Sequence, residues 1–213
     1  MSIAQNFNLS VAQGLALSLE KKILYIQSSV DQKFRLILNT QWNSKQPNYR
    51  QEIRQGLARS FSEHFSREQL AKLNDLNWRP KGSDAFISIS HCSLLGGFAL
   101  SQFKLGFDVE EEKRILPDVL KRVSSESELQ ECPKIEYLWV AKEAGFKAQS
   151  QDDTSVNSTT VPLITDLHCY DWQSCFENQV YSFRLKSEKT LDLSLNKGFI
   201  FSEGPCLYGL YFK

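Results

Sequence analysis

Apolar and polar positions along this chain recur with two different periods, and the changes of period mark out its elements. From Asn48 the spacing is helical: Ile53, Leu57, Phe61 and Phe65 recur every four residues with Ala58 beside them, which predicts an amphipathic helix after Pro47. Arg50 and Arg54 fall on the N-terminal continuation of that stripe, and Arg59 points away from it. A polar connection then ends in Asn77-Trp78-Arg79-Pro80-Lys81-Gly82, whose Pro and Gly punctuate a turn. The period now becomes two. Ile87, Ile89 and His91 share one face of residues 85–91, and Phe86, Ser88 and Ser90 the other. Residues 97–101 and 105–110 repeat the alternation, so three strands with short links predict a meander and not βαβ units.

The second half reads in the same way. A helix is expected near Pro117 to Val123, and Ser125 followed by Glu128 is a capping pattern. Over Lys134 to Ala148 a helical wheel places Ile135, Leu138, Trp139 and Phe146 on the buried stripe, with Lys142 in its middle and Glu143 and Lys147 at its edge. Residues 149–160 are rich in Asp, Ser, Thr and Gln and read as a mobile loop. Beyond Pro162, strand-like stretches are expected at residues 163–170, 180–185, 191–195, 198–202 and 207–212. The first 46 residues carry the weakest pattern: Leu15, Leu17 and Leu19 alternate like a strand, and Ile23 to Leu38 admits a strand followed by a helix.

Composition narrows the chemistry. The 213 residues hold 25 Lys+Arg against 25 Asp+Glu, so no global field favours nucleic acid or an anionic membrane, and any anion site must be local. No apolar run approaches a membrane span, and Met1 to Ser18 lacks the form of a secretory leader, which predicts a cytoplasmic protein. Five cysteines without a C-x-x-C pair read as reduced thiols; His168, Cys169 and Cys175 lack a fourth zinc partner. There is no Gly-rich phosphate loop and no short repeat.

Two segments carry candidate chemistry. Asp108 and Glu110 lie on one strand face, their side chains based roughly 6–7 Å apart, with no cation between them. A hard divalent ion such as Mg²⁺ is their natural partner; a solvated strand end is the plainer account. Trp139 to Lys147 adds a third carboxylate, Glu143, and two lysines. An i,i+4 pair accounts for Glu143 and Lys147. It does not account for Lys142, since a lysine on a buried stripe calls for an anionic partner. Arg50 and Arg54, close to a helix start, suit a phosphate or snorkel into water. His91 ends its strand beside a turn and suits a ligand contact or a plain surface position.

Together, Phe86-Ile87-Ser88-Ile89-Ser90-His91, Gly106-Phe107-Asp108-Val109-Glu110 and Trp139-Val140-Ala141-Lys142-Glu143-Ala144-Gly145-Phe146-Lys147 resemble the three signatures of 4′-phosphopantetheinyl transferases, in order and in spacing. Tyr49-Arg50 looks like that family's coenzyme A 3′-phosphate segment, and Trp78-Arg79-Pro80 like its turn beside the adenine, with Trp78 in place of glycine. The length resembles the longer, surfactin-synthetase-activating type. The resemblance implies an α+β fold of two pseudo-symmetric halves, residues 1–104 and 105–213. Each half would be an antiparallel sheet on a long helix, with the site in the cleft between them. It implies a monomer that moves the phosphopantetheine arm of coenzyme A to a serine of an acidic apo carrier protein, releasing adenosine 3′,5′-bisphosphate. Asp108, Glu110 and Glu143 would hold Mg²⁺. Glu143 or a metal-bound water would be the base, and Lys147 would stabilise the leaving phosphate. Lys142, Ser90 and His91 would meet the pyrophosphate region, Arg50 the 3′-phosphate and Arg79 the nucleotide. Cys92 stands where the family commonly has serine. A different Mg²⁺-dependent phosphoryl enzyme and a non-catalytic relative are the alternatives.

Overall fold

The computed structural model describes residues 13–31, 33–60, 66, 68, 85–152, 163–187 and 196–213. Their fold is α+β, with two antiparallel sheets and several helices. The first sheet has the order β1-β3-β2, from β1 (Phe34–Asn39), β2 (Phe86–His91) and β3 (Gly96–Ser101). The second has the order β4-β8-β7-β6-β5, from β4 (Leu105–Glu111), β5 (His168–Cys175), β6 (Val180–Lys186), β7 (Lys197–Glu203) and β8 (Cys206–Phe212). No helix among the described residues is long and apolar enough to cross a membrane.

The start of the chain reverses the sequence expectation: helix α1 (Gln13–Val30) precedes strand β1. Leu19, Ile23 and Ile26 are spaced as one helical face, and all three are buried. Leu17 and Leu24, at 59% and 52% exposure, point outward, so the apparent alternation of leucines came from two faces of one helix. The expected meander also changes. β3 already pairs with β1 on one edge and β2 on the other, which leaves β4 no place in that ladder. It opens the second sheet instead, pairing with β8 from Leu105↔Phe212 to Glu111↔Cys206. Of the stretch expected as a strand at 163–170, residues Ile164–Asp166 form a 3₁₀ turn and the strand begins at His168. Phe61, Phe65 and the stretches 153–162 and 191–195 lie outside the described residues.

The two sheets meet along β2 and β4, which run in the same direction without a backbone ladder. Side chains fill the seam. Ser88 Oγ accepts from Phe107 N at 2.8 Å, and Ser90 Oγ accepts from Val109 N at 3.2 Å. Gln151 Nε2 donates to Ile87 O at 3.0 Å and to Leu105 O at 2.8 Å, while its Oε1 accepts from Leu105 N at 3.2 Å. Two strand edges that would otherwise present unpaired polar groups are thereby satisfied.

Helices cover both faces of this arrangement. On one side, α1 joins the sheets into a single core, with Leu19, Ile23 and Ile26 against Phe34 and Leu36 of the first sheet and Phe107 and Phe199 of the second. Lys22 Nζ ties α1 to Glu203 on β7 at 2.6 Å. On the other side, α2 (Tyr49–Ser60) sets Ile53 and Leu57 against Trp42 and Phe98. Helices α3 (Pro117–Val123) and α4 (Glu126–Glu131) lead into α5 (Ile135–Gln149), which lies on the second sheet. Ser125 and Glu128 form the expected capping box of α4.

The buried face of α5 differs from the expected stripe. Leu138, Val140, Ala141, Ala144 and Ala148 are fully buried, whereas Ile135, Trp139 and Phe146 are only half-buried. Small side chains win that face because the sheet beneath it has glycines at Gly106 and Gly209, which let the helix backbone approach closely. A Cβ on Gly106 would stand 1.7 Å from Ala144 O and 2.8 Å from Ala148 N. Because backbone atoms cannot move aside like a flexible side chain, Gly106→Ala is expected to destabilise the fold by about 1–3 kcal/mol or more. Urea unfolding of the variant checks this; an unchanged midpoint would show that α5 does not lie as close as described.

Candidate active site

The side chains on the α5 face of β4 are Gly106, Asp108 and Glu110, and the glycine is what brings α5 within reach of the two acids. Asp108 is 2% exposed. Its Oδ1 accepts from Ser90 Oγ at 2.7 Å and from Lys147 Nζ at 2.6 Å, while its Oδ2 is buried with no hydrogen-bond partner among the described residues. Lys147 Nζ also reaches Ser90 Oγ at 3.1 Å and Phe107 O at 3.3 Å. Ser90 thus touches β4, Asp108 and Lys147 through one hydroxyl. Glu143 lies one turn before Lys147 on α5.

The electrostatics are those of carboxylates gathered with too little positive charge. Burial, then the charges of Asp108 and Cys92, push Glu110 up to about 7, against a smaller opposing pull from Lys147. Burial and then Asp108 likewise raise Glu143 above the usual carboxylate range. The cationic side of the site shows the mirror effect. Burial first, then Arg50 and Lys147, hold His91 below its ordinary value, which favours the neutral imidazole. His91 meets the ring of Tyr49 edge-on at 4.4 Å. Arg50 lies over the same tyrosine at 5.5 Å and donates from Nε to its hydroxyl at 2.9 Å.

The structure therefore brings Ser90, His91, Asp108, Glu110, Glu143 and Lys147 into one place, with Arg50 at its margin. Arg50 does not continue the inward stripe of α2: it is exposed, because the first turn of the helix has already left the core. Arg54 is half-buried and donates from Nη1 to Arg50 O at 2.9 Å. Arg79 lies outside the described residues. Tyr49 and Trp139 are additions to the site; the indole of Trp139 hydrogen-bonds Glu110 and opposes the rise in its pKa. Tyr49 was visible beside Arg50, but nothing in the sequence marks the contact of Trp139 with a neighbouring strand.

Lys142 stands apart from the residues gathered at Asp108. Its side chain is fully buried, with Nζ 2.9 Å from Glu128 Oε1 and donating to Val123 O at 2.5 Å. The anionic partner that its position calls for is Glu128 of α4, not the pyrophosphate of a ligand. Glu128 also accepts from Cys169 N and Ser125 N, each at 2.8 Å. Removing one member of a buried ion pair leaves the other charge uncompensated, so Lys142→Met is expected to cost about 3–5 kcal/mol. Lys142→Met/Glu128→Leu should recover most of that loss in the same denaturant titration. Equal stability of the single and double variants would break the argument.

A hard divalent cation fits these residues: Asp108 Oδ2 is a buried oxygen without a partner among the described residues, and burial together with the charge of Asp108 opposes ionisation of Glu110 and Glu143. Among the described residues no three acidic, His or Cys side chains converge as a ready-made cage. Lys147 is the cation that stands against Asp108 in this state. The sign of the pH dependence follows from Glu110. With a folded pKa raised from 4.5 to about 7, the stability it contributes is present below pH 4.5 and is lost as pH rises through about 7. Glu110→Gln should flatten the thermal midpoint across that window. An equally steep fall in the variant would assign the dependence elsewhere. No protein-family model matches the chain, and no curated protein matches it either.

Proposed function

We propose that the chain is a 4′-phosphopantetheinyl transferase of the longer, two-half type. It moves the phosphopantetheine arm of coenzyme A to a serine hydroxyl of an acidic apo carrier protein and releases adenosine 3′,5′-bisphosphate. The observation that carries this reading is the convergence at the seam of residues from three distant segments, Ser90-His91, Asp108/Glu110 and Glu143/Lys147, around a buried carboxylate oxygen with no partner among the described residues. The two sheets, each with a helix on the same side, support the two-half arrangement of residues 1–104 and 105–213, although they have three and five strands.

The chemistry asks different things of these side chains. Asp108, Glu110 and Glu143 would hold Mg²⁺, which when bound offsets the negative charge of the coenzyme A pyrophosphate. Glu143, or a water held beside it, accepts the proton of the carrier serine. The serine oxygen then attacks the β-phosphorus, and the bond to the nucleotide phosphate breaks with its electron pair on the leaving oxygen. Lys147 turns its ammonium from Asp108 to that oxygen. His91, held neutral, donates one N–H to the pyrophosphate without adding charge to a site that Lys147 already serves. Arg50, exposed and oriented by Tyr49, takes the 3′-phosphate.

The test is mass spectrometry of an apo carrier protein incubated with the chain, coenzyme A and Mg²⁺. The carrier is expected to gain one phosphopantetheine group, and Asp108→Asn to abolish the gain. Free phosphopantetheine with an unmodified carrier would mean a hydrolase, and unconsumed coenzyme A would mean a binding protein. Wild type should also prefer coenzyme A over its 3′-dephospho form. Arg50→Ala should lose about ten- to a hundred-fold of that preference, the range for a charge-assisted pair of about 1.5–3 kcal/mol. Equal preference in wild type and variant would remove Arg50 from the site.

A further inference from the structure

Two cysteines lie sulfur to sulfur across the junction of the sheets, and the proposed transfer has no use for either. Cys92 is the first residue after β2, and Cys206 opens β8; both are buried, and their Sγ atoms are 3.9 Å apart. The backbone fixes both residues. Cys92 O accepts from Ser44 N and Cys92 N donates to Leu95 O, each at 2.8 Å, while Cys206 is paired in register with Glu111 of β4. All five cysteines are free thiols. The hydrogen bond with Cys206 lowers Cys92 to about 6, whereas burial pushes Cys132 up to about 12 and holds Cys169 well above the ordinary thiol value.

We propose that Cys92 and Cys206 form a peroxide-sensitive dithiol, a site where a hydroperoxide closes a disulfide between the two sheets beside the candidate active site. The Cys92 thiolate attacks the peroxide O–O bond, gaining one oxygen as a sulfenic acid and expelling hydroxide or alkoxide, which takes up the proton that Cys92 had released. The Cys206 sulfur then attacks the sulfenic sulfur. The S–S bond forms, the S–O bond breaks, and the Cys206 proton leaves with the departing oxygen as water. In sum, two thiols lose two electrons and two protons, and the peroxide is reduced to water and an alcohol, or to two waters. Forming the bond brings the sulfurs from 3.9 Å to about 2 Å. Burial sets the class of oxidant: a water-sized peroxide can reach such a pair, and a bulky disulfide such as oxidised glutathione is hindered.

The consequence is mechanical and local. Cys92 directly follows His91, and Cys206 faces Glu111 on the strand that carries Asp108 and Glu110, so the bond would add a covalent tie to a seam otherwise closed by serine and glutamine side chains. The proposal rests on the two sulfurs and stands or falls independently of the phosphopantetheinyl reading.

The experiment is peptide mapping of the intact chain after brief exposure to hydrogen peroxide, with and without subsequent dithiothreitol. The expected product has lost the mass of two hydrogens, contains linked Cys92 and Cys206 peptides, and reverts on reduction. In Cys206→Ser the sulfenic acid has no partner, so dimedone is expected to label Cys92 about tenfold faster than Cys132 or Cys169. Cys92→Ser should give neither product. Oxidation falling first on Cys132 or Cys175, or no oxidation of Cys92 in the wild-type chain, would overturn the proposal. Because mapping of wild type decides the matter alone, a variant that fails to fold does not obscure it.

Discussion

The hydroxyl of Ser90 is the point on which the two halves of this molecule depend. It accepts from Val109 N, donates to Asp108 Oδ1 and accepts from Lys147 Nζ, so a strand edge, an acid and a helix are joined through one oxygen. A continuous backbone ladder between β2 and β4 would have merged the sheets and closed the space with main-chain bonds about 4.8 Å across. Ser88, Ser90 and Gln151 satisfy the same edge groups while leaving side chains between the strands. That substitution lets a buried carboxylate stand at the seam with one oxygen engaged and the other left over.

Charge is divided on the same logic. The buried pair of Lys142 and Glu128 is closed, because the carboxylate is surrounded by the ammonium and by the N–H groups of Ser125 and Cys169. Such a pair holds α4, α5 and β5 together and has nothing to offer a ligand. The group at Asp108 is open: three carboxylates share mainly Lys147, and burial, then the charge of Asp108, raises two of them. An unbalanced charge set in a partly buried place costs stability unless a ligand completes it, which is a mark of a functional site and not of a structural one.

What the sequence made legible was whatever depended on neighbours a few residues away. The alternation of residues 86–91 and 105–110, the capping box of Ser125 and Glu128, and the proximity of Glu143 to Lys147 are local, and they appear in the structure. The α+β class followed from them. The rest turned on distant partners. β4 changes sheet because β8, a hundred residues further on, offers an edge and β3 does not. Leu17 and Leu19 imitate part of a strand because only the burial of Ile23 and Ile26 reveals that Leu19 faces the core and Leu17 does not. The partner of Lys142 was in view as Glu128 but read as a cap alone, since a carboxylate with two oxygens can serve a helix start and an ammonium together. Arg50 misled for the opposite reason, because a stripe drawn on a wheel does not say where the core ends.

The two lysines of α5 show why the wheel still had value once partners were known. At about 100° per residue, Lys142 and Lys147 are separated by about 140°, while Glu143 and Lys147 differ by about 40°. One lysine must therefore face away from whatever the other meets. The close seat of Val140, Ala141, Ala144 and Ala148 on Gly106 and Gly209 fixes which is which. It turns Lys142 toward α4 and β5, where Glu128 waits, and brings Glu143 and Lys147 to the seam, where Asp108 and Ser90 stand. Rotating the helix by one residue would exchange neither pair cleanly, since both lysines would lose their carboxylates at once. The small residues on one face thus set the chemistry on the other two, and a motif that seems to supply two equivalent cations supplies one for the fold and one for the site.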